Sequence, residues 1–125
     1  MNLNQITIPS LDLKASIEFY TKLGLNLIVE ALPTYVRFEC PDGDSTLSIH
    51  LVENITEGDR IIIYFEDSDL DSLVKNLKLK GINFTSEPED KSWLWREAHL
   101  NDPDGNKLIL YHAGINRKNP PWRVN

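Results

Sequence analysis

The chain has 125 residues, 41% of them hydrophobic, which suffices for one ordinary globular domain but not for two independent ones. Nineteen acidic and thirteen basic residues give a net charge of −6, which argues against nucleic acid as a partner. No stretch approaches the ~18 apolar residues that a membrane span requires. Because Cys40 is the only cysteine, no intramolecular disulfide can form, and we expect a cytoplasmic protein.

The first half of the chain predicts one helix and four strands. Alternating apolar and polar residues predict a strand over residues 3–8 that ends at Pro9. Asp12 stands where a helix N-cap belongs, apolar residues follow at helical spacing, and Gly24 ends the helix. Three further strands are predicted over residues 25–31, 35–40 and 46–52.

The second half predicts the same order of elements. A β-branched and aromatic run predicts a buried strand over residues 60–66. Ser68 and Asp71 resemble a capping box for a helix that ends before Gly81. Residues 86–92 are charged and predict a mobile loop. The remaining strands are predicted over residues 82–85, 93–100 and 107–112.

The two halves resemble each other in sequence. Asp12-Leu13 and Gly24 recur 57 positions later as Asp69-Leu70 and Gly81, and Pro41-Asp42-Gly43 recurs as Pro103-Asp104-Gly105. Such a repeat predicts a duplicated βαβββ unit within a single domain. We place module one at residues 3–53, module two at 60–113 and an extended C-terminal arm at 114–125.

This duplicated unit resembles the vicinal oxygen chelate superfamily, which includes glyoxalase I, extradiol dioxygenases, and fosfomycin and bleomycin resistance proteins. The resemblance covers residues 3–113 and rests on the helix starts, on Phe19-Tyr20, on Leu23-Gly24-Leu25 and on the string from Asp102 to Asn106. It implies an α+β fold in which two tandem βαβββ modules form one open eight-stranded cup with the helices on its outer face. It implies much less about function, because one fold supports many chemistries.

The resemblance also identifies four positions at which metal-dependent members hold a divalent ion. Here they are Gln5, Ile62, Ile109 and either Leu47 or Ser48. Isoleucine has no donor atom, and a serine hydroxyl is a poor ligand for transition metals. A single amide oxygen cannot hold such an ion against water. The resemblance therefore implies that the inherited metal site is absent and that no metal cofactor is needed.

Strand alternation predicts which side chains share the concave face of the cup. The predicted ligand-binding residues are Gln5, Tyr35, Arg37, His50, Trp93, Trp95, Glu97, His99 and Tyr111. The tryptophans are either ordinary sheet covering or an aromatic wall that stacks a flat or cationic ligand. Arg37 and Arg96 leave the sign of the ligand charge open.

The histidines allow two further interpretations. Gln5, His50, His99 and Glu97 could form a relocated metal site, but the simpler interpretation is that each histidine is a hydrogen-bonded residue of the cup or the surface. His99 with Glu97 is also a candidate acid–base pair, although spacing along one strand does not make a catalytic dyad.

The leading hypothesis is a metal-independent small-molecule-binding protein, similar to the bleomycin-resistance branch, whose aromatic cup sequesters a ligand. The resemblance to that branch implies a homodimer. The alternative is a metal-dependent lyase, isomerase or dioxygenase with a divalent transition metal in the relocated site. A third interpretation is an interaction module that uses the arm around Pro120, Pro121 and Trp122.

Overall fold

The computed structural model describes residues 1–124, and they fold into two compact units. The first unit contains residues 1–60 together with 102–106, and the second contains residues 61–101 and the chain from Lys107 onward. The first unit has the elements β1 (Gln5–Ser10), α1 (Leu13–Leu23), β2 (Asn26–Ala31), β3 (Tyr35–Glu39) and β4 (Thr46–Leu51). The second unit has β5 (Ile62–Glu66), α2 (Leu70–Leu79), β6 (Glu89–Asp90), β7 (Arg96–Asn101), β8 (Lys107–His112) and a 3₁₀ helix (Gly114–Arg117).

The two units repeat one topology. The first sheet has the strand order β1-β4-β3-β2, and the second has the order β5-β8-β7-β6. In each sheet the first strand pairs in parallel with the last, and the other pairs are antiparallel. The structure therefore confirms the duplicated βαβββ unit and the α+β class.

Each helix covers one face of its own sheet. Helix α1 contacts β2, β3 and β4, and helix α2 contacts β7 and β8. The ring of Tyr20 on α1 lies 5.9 Å from that of Phe38 on β3, and neither residue is exposed. Leu108 and Leu110 on β8 are likewise buried on one side of the second sheet. Because successive strand residues point to opposite faces, the alternate residues lie on the face that the helix leaves uncovered, which we call the helix-free face.

The first helix has the predicted ends. The Asp12 side chain accepts hydrogen bonds from the amides of Lys14 and Ala15, and Gly24 takes a left-handed conformation with φ +112°. A residue with a side chain adopts that conformation only with strain, which explains the glycine. The preceding strand differs from its prediction, because β1 continues through Pro9 to Ser10. β1 is the terminal strand in the order of its sheet, where a missing N–H is tolerated.

The predicted capping box at the second helix is wrong. Asp69 is the N-cap of α2 and makes no side-chain cap hydrogen bond. Its backbone amide instead donates to Oδ1 of Asp67 at 2.8 Å. Asp71, the expected reciprocal partner of Ser68, is held by Arg96 on β7. Competition from a guanidinium on the neighbouring strand therefore overrides the local motif.

Two strand predictions in the second unit are also wrong in position. Residues 82–85 form no strand, and β6 lies instead at Glu89–Asp90, inside the predicted mobile loop. The amides of Thr85 and Ser86 both donate to the carbonyl of His99, so they share one acceptor and cannot form a regular ladder. β7 begins at Arg96 rather than at residue 93, because a turn precedes it.

The C-terminal segment is not the predicted extended arm. Residues Gly114–Arg117 form the 3₁₀ helix, and the amide of Arg123 bonds to the carbonyl of Pro120 in a later turn. Trp122 is 56% exposed. Asn125, the last residue of the predicted arm, lies outside the described residues. Within residues 1–124, no helix is long and apolar enough to cross a membrane.

Candidate functional site

Three aromatic rings form a cluster on the helix-free face of the second sheet. Trp95 stacks on Tyr111 with ring centroids 4.5 Å apart and an interplanar angle of 14°. Tyr64 stands perpendicular to both, 5.9 Å from Trp95 and 5.6 Å from Tyr111. Ile109 and Ala113 pack into the same cluster. Offset-stacked and edge-to-face contacts of this kind stabilise a rigid aromatic surface.

Tyr64 was not among the predicted site residues. Its Cα pairs with that of Ile109 across the β5–β8 ladder, so the two side chains share a face. Alternation from Ile62, which was assigned to that face, leads directly to position 64 and would have found it. Tyr64 remains 47% exposed, whereas Tyr111 is only 5% exposed. Because Trp95 and Tyr111 cover each other, Tyr64 has the most accessible ring of the cluster.

A cleft of 470 Å³ adjoins Trp95. Its other lining residues include Lys91 and Leu94 from the turn before β7 and His112 and Asn116 from the chain at and beyond the end of β8. The indole N–H of Trp95 donates to the carbonyl of Asn116 at 3.3 Å, which ties the ring to the 3₁₀ helix. Trp95 is thus held from two sides while it lines an open space.

Glu97 is a buried carboxylate with two side-chain partners. It is 3% exposed, and its Oε2 accepts a hydrogen bond from the indole N–H of Trp93 at 2.7 Å. Its Oε1 lies 2.8 Å from Nε2 of His99. Because an indole N–H only donates, Oε2 must act as an acceptor. Hydrogen bonds therefore join Trp93, Glu97 and His99 into one connected group.

Trp93 contributes to this group through its N–H rather than as a strand residue. It lies in the turn before β7, where Leu94 has the left-handed φ of +67°. Such a conformation is strained for leucine and interrupts the strand alternation on which the prediction relied. The indole is 45% exposed. Trp93 and Trp95 consequently have different surroundings, although they are two residues apart.

The helix-free face of the first sheet is polar. Nε of Arg37 donates to the hydroxyl of Tyr35 at 2.9 Å, and that hydroxyl lies 2.6 Å from Oγ of Ser48. The hydrogen bond with Ser48, reinforced by Arg37, lowers the pKa of Tyr35. His50 pairs with Tyr35 across the β3–β4 ladder and is exposed. The predicted residues Tyr35, Arg37 and His50 therefore lie together.

The four inherited ligand positions do not fit a metal ion. The ladders pair Thr7 with Ser48 and Tyr64 with Ile109, so Ser48 rather than Leu47 is the equivalent of Ile109. Ser48 is fully buried and bonded to Tyr35. Oε1 of Gln5 accepts a hydrogen bond from Thr46 at 2.8 Å. With hydrocarbon at two positions and engaged neutral oxygens at the others, the donor set is wrong for a transition metal.

The residues of the conceivable relocated metal site are not all close together within either unit. In the first unit Gln5 pairs with Thr46, whereas His50 pairs with Pro9, four steps further along the same parallel pair. At about 3.3 Å per residue, that spacing separates them by about 13 Å. In the second unit Glu97 and His99 bond to each other. Within residues 1–124, no group of three or more His, Cys, Asp or Glu side chains is arranged to hold a metal ion.

Comparison with known proteins identifies the family. The model of the Glyoxalase/Bleomycin resistance protein/Dioxygenase superfamily matches residues 2–110. The chain belongs to this superfamily. The match confirms the resemblance inferred from the repeat and its motifs.

Individual proteins are similar to this chain over most of its length. Uncharacterized protein YraH of Bacillus subtilis (strain 168) is 31% identical over 127 residues, which covers 89% of this chain and 98% of that protein. A glyoxalase/bleomycin resistance protein/dioxygenase from Nocardioides is 25% identical, with a TM-score of 0.79 over 100% of this chain and 90% of its own. A bleomycin-binding protein in complex with bleomycin is 23% identical, with a TM-score of 0.73 over 90% of this chain and 98% of its own.

Proposed function

We propose that this superfamily member is a small-molecule-binding protein that uses no metal ion and holds its ligand against Trp95. The observation that supports this most directly is the double role of that residue. Trp95 belongs to the stacked aromatic cluster and also lines the 470 Å³ cleft. Ligand sites in proteins commonly have about 300–1,000 Å³ and combine aromatic walls with a few polar groups.

The chemistry of the cleft favours a flat, partly polar ligand. The Trp95 ring offers a stacking surface, and its packing on Tyr111 and its hydrogen bond to Asn116 hold the ring in place before the ligand arrives. A preorganised aromatic surface loses little side-chain entropy on binding. Lys91 and His112 supply polar contacts at the rim.

The donor chemistry supports binding without a metal. Ile62 and Ile109 stand at two of the inherited ligand positions, and the oxygens of Gln5 and Ser48 already have hydrogen-bond partners. The structural similarity to a protein that binds bleomycin adds support for sequestration as a function of this fold. At 23% identity that similarity does not extend to the identity of the ligand.

The proposal is tested by ligand binding to protein that has been dialysed against a chelator. We expect bleomycin or members of a panel of planar aromatic compounds to quench tryptophan fluorescence saturably. Equilibrium dialysis provides a second readout that does not depend on the fluorophore. Trp95→Leu should abolish binding in dialysis, and the matched variant Trp122→Phe, which changes an exposed tryptophan, should retain it.

Two results would contradict the proposal. One is the absence of saturable binding by any compound in the panel. The other is binding that survives in Trp95→Leu. Elemental analysis separates this proposal from the alternative of a metal-dependent lyase, isomerase or dioxygenase. A stoichiometric transition metal that is lost in His99→Ala would favour the alternative, which the contact between Glu97 and His99 supports.

A further inference from the structure

Within residues 1–124, Arg37 of the first unit has no anionic partner. Arg37 lies on β3 between Val36 and Phe38, both of which are buried on the helix side of the sheet. Its own side chain therefore lies on the helix-free face. Its Nε donates to Tyr35, and its guanidinium carbon lies 5.5 Å from the centroid of the Tyr35 ring. These two contacts fix the direction of the guanidinium group.

The other arginines differ from Arg37 in their partners. Arg96 bonds to both oxygens of Asp71 and to Asp90, and Arg60 bonds to the carbonyls of Asp104 and Gly105. Arg117 lies 3.7 Å from Glu66, and Arg123 bonds to Lys118 and Asn119. Among residues 1–124, Arg37 is the one arginine that has neither a carboxylate nor a carbonyl partner. None of the described residues bonds to its two terminal nitrogens.

This arrangement is unusual in a chain that carries six more acidic than basic residues. Glu39 lies on the same face two residues further along β3, yet no ion pair joins it to Arg37 within the described part of the chain. A partly buried guanidinium without a counter-ion pays a desolvation cost that an incoming anion would offset. Arg96, the other arginine considered from the sequence, has all its nitrogens occupied and is excluded from this role.

We propose that Arg37, oriented by Tyr35, is an anion-binding site on the first sheet that recognises a carboxylate or phosphate group through its two terminal nitrogens. The planar fork of a guanidinium matches both oxyanions in a bidentate manner. His50 lies diagonally across the β3–β4 ladder from Arg37, since it pairs with Tyr35 while Arg37 pairs with Ser48. At about 7–8 Å, a diagonal neighbour is within reach of the same ligand.

Arginine-detected NMR tests this site with acetate and inorganic phosphate as separate probes at constant ionic strength. In ¹⁵N-labelled protein we expect one or both anions to shift the Arg37 Nε–H signal and the Tyr35 ring signals saturably. Arg37→Gln should weaken the affinity at least about tenfold. Arg123→Gln, which removes the same charge from the C-terminal segment, should leave it unchanged. Saturation by acetate alone identifies a carboxylate site, and saturation by phosphate alone identifies a phosphate site.

Further variants separate recognition from bulk charge and from folding. Arg37→Lys keeps the charge but loses the fork, and Tyr35→Phe removes the acceptor that orients it, so both should weaken binding while circular dichroism stays native. Linear, non-saturating shifts in the wild type, or equal affinities in the wild type and Arg37→Gln, would overturn the proposal. Trp95→Leu should retain the anion response, so failure of the aromatic site and failure of this site are distinguishable.

Discussion

The hydroxyl of Tyr20 donates a hydrogen bond to Oδ2 of Asp102 at 2.7 Å, across 82 positions of sequence. The side-chain amide of Asn106 donates to the same oxygen, and the backbone amides of Asp104 and Asn106 donate to Oδ1. The turn between β7 and β8 is thus folded around one buried carboxylate. Tyr20 joins that carboxylate to helix α1, which explains why residues 102–106 belong to the first compact unit.

The positions that the repeat makes equivalent to Tyr20 and Asp102 carry neither the hydroxyl nor the carboxylate. Aligning the two Pro-Asp-Gly strings places Cys40 opposite Asp102, and the offset of 57 places Leu77 opposite Tyr20. Leu77 is buried, and the Cys40 thiol, partly buried beside Asp42, has a raised pKa. An unpaired tyrosine hydroxyl in a core would be costly, so its replacement by leucine accompanies the loss of the carboxylate. The duplication is therefore symmetric in topology but not in polar contacts.

Tyr20→Phe should lower the free energy of unfolding by about 1–3 kcal/mol, because it removes one donor from a buried carboxylate while it preserves the ring packing. Urea denaturation monitored by circular dichroism measures this change. Tyr64→Phe is the matched control, since the Tyr64 hydroxyl has no hydrogen-bond partner within residues 1–124 and the side chain is 47% exposed. A control that loses as much stability as Tyr20→Phe would contradict the assignment.

The same contact predicts a pH dependence in the alkaline range. Burial, followed by the charge of Asp102, raises the pKa of Tyr20 well above its ordinary value. The unfolded chain then releases the proton near pH ~10 while the native state retains it, so stability is fully present below that pH and falls above it. The slope attributable to this residue is at most about 1.4 kcal/mol per pH unit. The difference in unfolding free energy between wild type and Tyr20→Phe should therefore shrink above pH ~10, and a constant difference would contradict the prediction.

Most of the fold was predictable from the sequence because local signals and the repeat agreed. Asp12 and Gly24 marked the ends of α1, and the same spacing located α2. The two sheets have the same strand order, as a duplicated unit requires. The segment from Ile82 to Asp90 was not predictable, because its shape depends on shared acceptors and on the pairing of Glu89 with Glu97 rather than on a local pattern.

The site was predictable only as far as alternation along the strands extends. Glu97, His99 and Tyr111 follow the alternation, and the structure places them on the helix-free face. At Leu94 the backbone enters the left-handed region, so the alternation could not be extended to Trp93. Nor could sequence spacing reveal that Arg96 is bound by Asp71 while Arg37 is left without a carboxylate, because those pairings depend on tertiary geometry.

Substitutions at Glu97 should separate its two hydrogen bonds from its charge. Glu97→Leu should cost about 1–3 kcal/mol in the free energy of unfolding, because it removes a buried carboxylate that accepts from Trp93 and bonds to His99. In Glu97→Gln the amide oxygen can accept from Trp93 while its NH₂ donates to the neutral His99 ring in the other tautomer. We expect that variant to lose no more than about 1 kcal/mol.

Denaturation curves for both variants and for a surface control test this series. Glu57→Gln is the control, because Glu57 is exposed in the loop before β5, and its effect should stay within about 0.5 kcal/mol. Equal losses in Glu97→Gln and Glu97→Leu would mean that the charge, rather than the geometry of the hydrogen bonds, holds the group together.

Two truncations should show where the C-terminal segment becomes part of the second unit. Oε2 of Glu66 accepts hydrogen bonds from the amides of Ala113 and Gly114, both at 2.8 Å, and Trp95 donates to Asn116. Removing residues 114–125 breaks two of these contacts and should cost about 1–3 kcal/mol. Removing only residues 118–125 preserves all of them and, since Trp122 is largely exposed, should change stability by less than about 0.5 kcal/mol. Size-exclusion chromatography of the variant that lacks residues 118–125 completes the test. If this variant is a monomer while the wild type is a dimer, the segment around Trp122 joins subunits, and the expectation that it only packs on its own chain is wrong.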